Sequence, residues 1–263
     1  MARRAFLVGI NEYRQSQFNL RGCVNDINSL QSLLTSRFDF LESDITTVVD
    51  NQATRENILA GLTALVQGAA AGDVLVFGFS GHGTQKIHVD ESEIDGKDEC
   101  IVPYELDFVS LISDDDINNI ITPNIPPDGS IRFTAIYDSC HSGTLEREIF
   151  RLFTGEEETL VINRTINASV FWPMDLPSRR DVSIGPYDIL SACADNETAA
   201  DLANVEGVPR GAFSYALHRT IEETSDIRIA DLEETVLNRI RQVSRHTQNP
   251  QYIAFDSSRR VFG

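Results

Sequence analysis

Apolar residues along the chain fall into runs of two kinds. Residues 5–10, 45–49, 74–79 and 131–137 are short apolar or β-branched stretches of strand length, with a weaker one at 187–190 and a closing strand at 251–255. Between them, apolar positions return at helical spacing. Ile27, Leu30, Leu34 and Phe38 follow Arg21-Gly22, and Ile58, Leu62, Leu65 and Val66 follow Thr54, a residue type suited to cap a helix. Residues 212–221 are a further helix, and Ile229, Leu232, Val236, Ile240 and Val243 mark a last one. The run at 74–79 is apolar throughout, as a central strand covered on both faces must be. Strands alternating with helices predict a single α/β domain with a mainly parallel sheet. Two stretches resist the pattern: 84–128, acidic and turn-rich, and 144–186, with few regular signals. Long irregular stretches inside a compact domain are usually functional.

Composition narrows the partners. Of 263 residues, 41% are apolar, enough for a real core, and the net charge is −18. A surface this acidic repels phosphate backbones and anionic lipid headgroups, so nucleic acid and membrane are poor partners and cationic groups or metal ions better ones. No stretch approaches the ~18–20 apolar residues of a membrane span. The opening Arg3-Arg4 with its short apolar run reads as a first strand rather than a signal peptide, because Asn11-Glu12 interrupts it too early. Cys23, Cys100, Cys140 and Cys193 are widely spaced, which suits reduced thiols and a cytoplasmic location.

In open α/β sheets ligands gather at the carboxyl ends of the strands. The strand at 74–79 runs into Ser80-Gly81-His82-Gly83, and the strand at 131–137 into Asp138-Ser139-Cys140-His141-Ser142-Gly143. If both strands are central and parallel, His82 and Cys140 emerge on one edge. An imidazole beside a thiol can take its proton, and the thiolate is the competent nucleophile. Small flanking residues leave amide N–H groups, those of Gly83 and Cys140, to stabilise an oxyanion. The ordinary alternative is a buried structural cysteine. His141 is set aside as the base, since neighbours in an extended segment face opposite ways. His88, His218 and His246 lack metal-ligand spacing.

These blocks, with Leu20-Arg21-Gly22-Cys23-Val24-Asn25-Asp26 before them, resemble the signature blocks of the metacaspases. The resemblance extends through Asp98-Glu99-Cys100-Ile101-Val102-Pro103, Ile112-Ser113-Asp114-Asp115, residues 190–199 and Gly211-Ala212-Phe213-Ser214, in family order. It implies a caspase-like α/β/α sandwich with a large part at 1–143, a linker at 144–186 and a small part at 187–263. It also implies a cysteine endopeptidase cleaving after Arg or Lys, with His82 as general acid/base and Cys140 as nucleophile. Cys23, Asp26, Ser80 and Asp138 would form the specificity pocket. Two carboxylates at the base of a cleft suit a guanidinium or ammonium, although each acid alone reads equally well as a helix-dipole or turn residue.

Residues 90–116 hold eleven acids against Lys97 alone, ten of the net negative charges. No EF-hand spacing is present, and a solvated acidic loop is the plain interpretation. The resemblance implies activating Ca²⁺ bound through Asp98, Asp114 and Asp115. Where the family has a further acid, seven residues past the nucleophile, this chain has Arg147, with Glu146 one place before it. The linker offers Arg147, Arg151, Arg164, Arg179 and Arg180 as self-cleavage sites. No organic cofactor is implied, and the resemblance suggests a monomer acting on proteins or peptides with basic residues. Rival expectations are a zymogen opened by a partner protease without calcium, a non-catalytic interaction module, and a calcium-binding structural protein.

Overall fold

The computed structural model describes residues 1–87, 97–139, 149–154, 157–166, 186–193, 197–224, 226–244 and 246–262. In chain order the elements begin with β1 (Arg3–Gly9), α1 (Cys23–Arg37), β2 (Ile45–Val49), α2 (Arg55–Val66) and β3 (Val74–Ser80). Next come β4 (Gly83–Ile87), β5 (Lys97–Ile101), β6 (Ile112–Ser113), α3 (Asp114–Ile121) and β7 (Arg132–Asp138). The remainder are β8 (Ile149–Thr154), β9 (Glu157–Asn163), β10 (Asp188–Ser191), β11 (Ala200–Val205), β12 (Val208–Gly211), α4 (Ala212–Glu223), α5 (Ile229–Val243) and β13 (Gln251–Ile253).

The main sheet has the order β13-β10-β7-β3-β1-β2, parallel except for β13, which closes it antiparallel to β10. Its strands alternate their side chains between two cores. Ala5, Leu7, Val74, Val76, Ile136 and Leu190 pack with α1, α4 and α5, while Phe6, Val8, Leu75, Phe77, Phe133 and Ala135 pack with α2 and α3. This is the expected α/β/α sandwich, and burial on both faces explains the unbroken apolar runs. Thr54 caps α2, its hydroxyl accepting the N–H of Asn57 at 3.2 Å. Gly78 lets α1 come close: a Cβ there would lie 2.9 Å from Leu30 Cδ2. No helix among the described residues is long and apolar enough to cross a membrane.

The stretch 84–128 is more regular than its sequence suggests. It carries the antiparallel trio β4-β5-β6 and then α3, whose first turn is Asp114-Asp115-Asp116. Ser113 and Asp116 form a capping box there, so part of the acidic run serves a helix N-terminus. In the linker, β8 and β9 form a hairpin that joins β11 and β12 in a second sheet, ordered β12-β11-β9-β8. The β11–β12 turn places Glu206 and Gly207 both at positive φ, 53° and 91°. These short ladders lack the continuous hydrophobicity that marks the main sheet.

The parallel register carries the functional consequence. Val74 pairs with Arg132 and, six residues on, Ser80 pairs with Asp138, so β3 and β7 end level. Phe77 is fully buried in the middle of that pairing. Phe77→Ala is expected to lower unfolding stability by about 3–5 kcal/mol, read as a reduced urea midpoint with an unchanged slope.

Candidate active site

Beyond the ends of β3 and β7 the chain builds a buried polar cluster around one cation. Arg164, fully buried just after β9, is held by side chains from four elements. Its Nη2 lies 2.7 Å from Asp26 Oδ2 and 2.8 Å from Asp201 Oδ1. Its Nη1 lies 3.2 Å from Asp138 Oδ2 and donates to Ser80 Oγ at 2.7 Å. The Ser80 hydroxyl passes its own hydrogen to Asp26 Oδ2 at 3.0 Å.

Each acid is in turn oriented by backbone N–H groups. Gly211 N–H donates to Asp26 at 3.0 Å, Ser214 N–H to Asp138 Oδ2 at 3.0 Å, and Arg21 and Gly22 N–H to Asp201, each at 2.9 Å. Ser214 lies in the first turn of α4, so Asp138 also complements that helix dipole. Gly211 is required by contact: a Cβ there would lie 2.2 Å from Asp138 Oδ2 and 2.7 Å from Arg164 Nη1.

Burial is the largest influence on Asp26 and raises its carboxyl to about 7; the pull of Arg164 opposes this, and the charges of Asp138 and Asp201 add to it. For Arg164, burial works against the charged form, but the surrounding acids outweigh it and hold the guanidinium well above its ordinary value. Burial likewise raises the Cys23 thiol, at the start of α1 beside the cluster, so it stays protonated.

His82 lies two residues beyond β3 and is fully buried. Its backbone N–H donates to Tyr13 Oη at 2.8 Å, and the two rings sit 5.0 Å apart. Its Nε2 is 2.8 Å from the carbonyl oxygen of Phe18. A carbonyl can only accept, so this contact puts a proton on Nε2 and, in the neutral ring, leaves Nδ1 as the basic nitrogen. The N–H of the next residue, Gly83, donates to the carbonyl oxygen of Arg164 at 3.1 Å.

The structure thus brings together Asp26, Ser80 and Asp138, with Cys23 alongside, and puts His82 and Gly83 at the same sheet edge. Cys140 lies outside the described residues, directly after buried Ser139. Of the five linker arginines, Arg147, Arg179 and Arg180 also lie outside them, and Arg151 is described only as backbone of β8. Arg164, one of the five linker arginines offered by the sequence as self-cleavage sites, is enclosed by the acids. Asp114 and Asp115 open α3, with Asp114 Oδ1 accepting the Asp115 N–H at 3.0 Å. Asp98 belongs to β5, its side chain undescribed, and no group of three or more metal-ligating side chains converges among the described residues. His218 is buried on α4 and kept neutral, its value pushed down to about 3 by burial and then by Arg210. His88 lies outside the described residues.

Two participants had no signal in the sequence. Asp201 sits two residues past the resembling stretch 190–199, a lone acid in a weak strand. Phe18 contributes a main-chain oxygen, which any residue type supplies equally.

A family profile described as "Metacaspase, peptidase C14 domain" matches residues 3–147. Metacaspase-1 of Schizosaccharomyces pombe is 32% identical, over 95% of this chain and 66% of its own length. Metacaspase-1 of Arabidopsis thaliana is 30% identical, over 94% and 66% respectively, and that of Yarrowia lipolytica is 32% identical, over 96% and 61%. The chain therefore spans just under two thirds of the length of these curated relatives. Among solved structures, protein GSU0716 from Geobacter sulfurreducens superposes with a TM-score of 0.71 at 18% identity, covering 100% of this chain and 98% of that one. Caspase-1 from Spodoptera frugiperda gives 0.62 at 12% identity, covering 99% and 89%. The sandwich is thus caspase-like.

Because folding favours the protonated form of Asp26, its contribution to stability is greatest below the unfolded value of about 4. That contribution is lost as pH rises through about 7. In a Cys140→Ala background, the melting temperature of the chain relative to its Asp26→Asn variant is expected to fall between these limits. Parallel melting profiles for the two proteins would refute the assignment.

Proposed function

The chain belongs to the metacaspase family, and from that premise we propose that it is a cysteine endopeptidase cleaving peptide bonds after Arg or Lys. The observation that carries the specificity is the fit of a guanidinium among Asp26, Asp138, Asp201 and Ser80. Three acids and Ser80 around one cation leave the vacated pocket lined with hydrogen-bond acceptors, and their fixed directions favour the forked donors of Arg.

Cys140 is the nucleophile. His82, with Nε2–H anchored on the Phe18 carbonyl, takes the thiol proton on Nδ1. The thiolate attacks the carbonyl carbon that follows the basic side chain. The N–H groups of Gly83 and Cys140 stabilise the resulting oxyanion, an interaction worth about 2.7–4 kcal/mol per donor in comparable sites. His82 returns the proton to the departing amine, and water hydrolyses the thioester to release the acid and restore the thiol.

Calcium enters as an activator through Asp98, Asp114 and Asp115. Support for that grouping comes from the antiparallel pairing of Cys100 with Ser113, which brings β5 beside the residue that precedes Asp114 and Asp115. Bound there, the ion would neutralise the acids that open α3 and tie β5 to that helix.

The test is hydrolysis of fluorogenic peptides ending in Arg, Lys or Asp, with Ca²⁺ or with a chelator. Turnover after Arg and Lys is expected, abolished by Cys140→Ala and reduced at least tenfold in kcat/KM by Asp138→Asn. Cleavage after Asp would refute the pocket assignment, and a rate indifferent to chelation would remove calcium.

A further inference from the structure

We propose that Tyr13 is a positioning residue for the reaction: its hydroxyl and ring hold His82 in the orientation that anchors Nε2 and leaves Nδ1 for proton transfer. This rests on the peptidase assignment above and adds to it a residue outside the pocket and outside the His82 segment. A general acid/base must keep one tautomer and one ring orientation, and a histidine side chain alone enforces neither.

The pairing of β1 with β3 runs out just before His82. Ile10 N–H donates to the Ser80 carbonyl at 3.0 Å, and the chain then turns away from the sheet into a loop over 11–20. Leu20 N–H donates to the Asn11 carbonyl at 2.8 Å and so closes that loop. Near its start the loop delivers Tyr13 Oη, which accepts the His82 N–H at 2.8 Å. Near its end it delivers the Phe18 carbonyl oxygen, 2.8 Å from Nε2. The Tyr13 ring lies 5.0 Å from the imidazole at a 42° tilt, and the Phe18 ring stands edge-on at 6.5 Å. From another element, Val102 N–H donates to the His82 carbonyl at 3.0 Å. His82 is thus gripped at its N–H, its carbonyl and its Nε2. Of the three gripping residues, Phe18 and Val102 act through main chain, and Tyr13 through a side chain that substitution can remove.

Tyr13 is itself fixed. Its N–H donates across the loop to Asn19 Oδ1 at 2.9 Å. Asp50 Oδ1 accepts the N–H groups of Asn11 and Glu12 at 2.8 and 2.9 Å, and Arg14 N–H donates to the Tyr104 carbonyl at 3.1 Å. Asp50 does this from φ 48°, a conformation that aspartate tolerates better than most side chains. Gly81 gives the hydroxyl room, since a Cβ there would lie 2.9 Å from Tyr13 Oη. Burial pushes the Tyr13 phenol well above its ordinary value, so the hydroxyl stays neutral. Removing it would strand the buried His82 N–H, and an unpaired buried donor costs more than its bond contributes. The segment then shifts to find a partner, and a displacement of about 1 Å in a catalytic group costs up to ~10²-fold in rate. The pocket does not share these supports: the N–H groups that orient its acids belong to Arg21, Gly22, Gly211 and Ser214.

The experiment compares the full-length protein with Tyr13→Phe, which keeps the ring and removes the hydroxyl. With an Arg-ending fluorogenic peptide, kcat is expected to fall about tenfold while KM stays within about twofold of wild type. A Tyr13 that served only folding would lower the melting temperature and leave kcat of the folded protein unchanged. The imidazole is read directly by heteronuclear NMR of full-length Cys140→Ala chain carrying labelled histidine, with His82→Gln to assign the signal. A neutral ring with its proton on Nε2, exchanging slowly with water, is expected. Tyr13→Phe should speed that exchange about tenfold as the grip loosens. Wild-type kcat in folded Tyr13→Phe, or a loss confined to KM, overturns the inference and spares the peptidase assignment. A His82 ring with its proton on Nδ1, or one averaging between tautomers, overturns the inference even if Tyr13→Phe fails to fold. Absence of peptide turnover by the wild type in every condition overturns the peptidase assignment, and a role for Tyr13 in catalysis with it.

Discussion

A guanidinium with no water around it constrains this molecule more than any other single group. Taking a cation of that size out of water costs several kcal/mol even after relaxation, and the cost is offset only if opposite charges and hydrogen bonds surround it with good geometry. Arg164 meets that condition through Asp26 on α1, Ser80 at the end of β3, Asp138 at the end of β7 and Asp201 on β11. Those residues span 175 positions of sequence, from 26 to 201, so the cluster forms only when the main sheet, its first helix and the second sheet are all assembled.

The same requirement explains the surroundings. Three acids facing one cation repel one another, and their fixed backbone donors at Arg21, Gly22, Gly211 and Ser214 keep them from moving apart. The bare Cα of Gly211 allows that approach. The α4 helix begins directly against Asp138, so its dipole favours the carboxylate at the pocket's base. A purely structural core would be served as well by apolar side chains of similar volume, since buried ion networks rarely add net stability. Under the proposed function their value lies in chemistry: an acidic socket beside a histidine and an amide donor suits a substrate with a basic side chain.

Much of the scaffold was legible in advance because burial on both faces leaves a strong mark. The run at 74–79 became β3 with one residue added, the run at 131–137 became β7 displaced by one residue, and Ile45–Val49 matched outright. Thr54 announced α2 through capping chemistry. The small sheets left little mark in the sequence because each is short and its apolar positions are discontinuous, so its pattern blends with that of loops. The acids of α3 similarly looked like a charge run, although Asp116 is engaged with Ser113 and Arg55.

By itself, the sequence determined the α/β layering and the strand ends that lead into His82 and Cys140, since local hydrophobic periodicity encodes these directly, and the family resemblance implied a pocket holding both Asp26 and Asp138. Only the tertiary structure decided that Asp201 joins them, that the Phe18 carbonyl orients His82, and that Arg164, out of five linker arginines, occupies the socket. Those three facts depend on strand register and on contacts between segments far apart in the chain. No local pattern records them, because a main-chain oxygen has no residue signature and an arginine reads the same whether it faces water or three carboxylates.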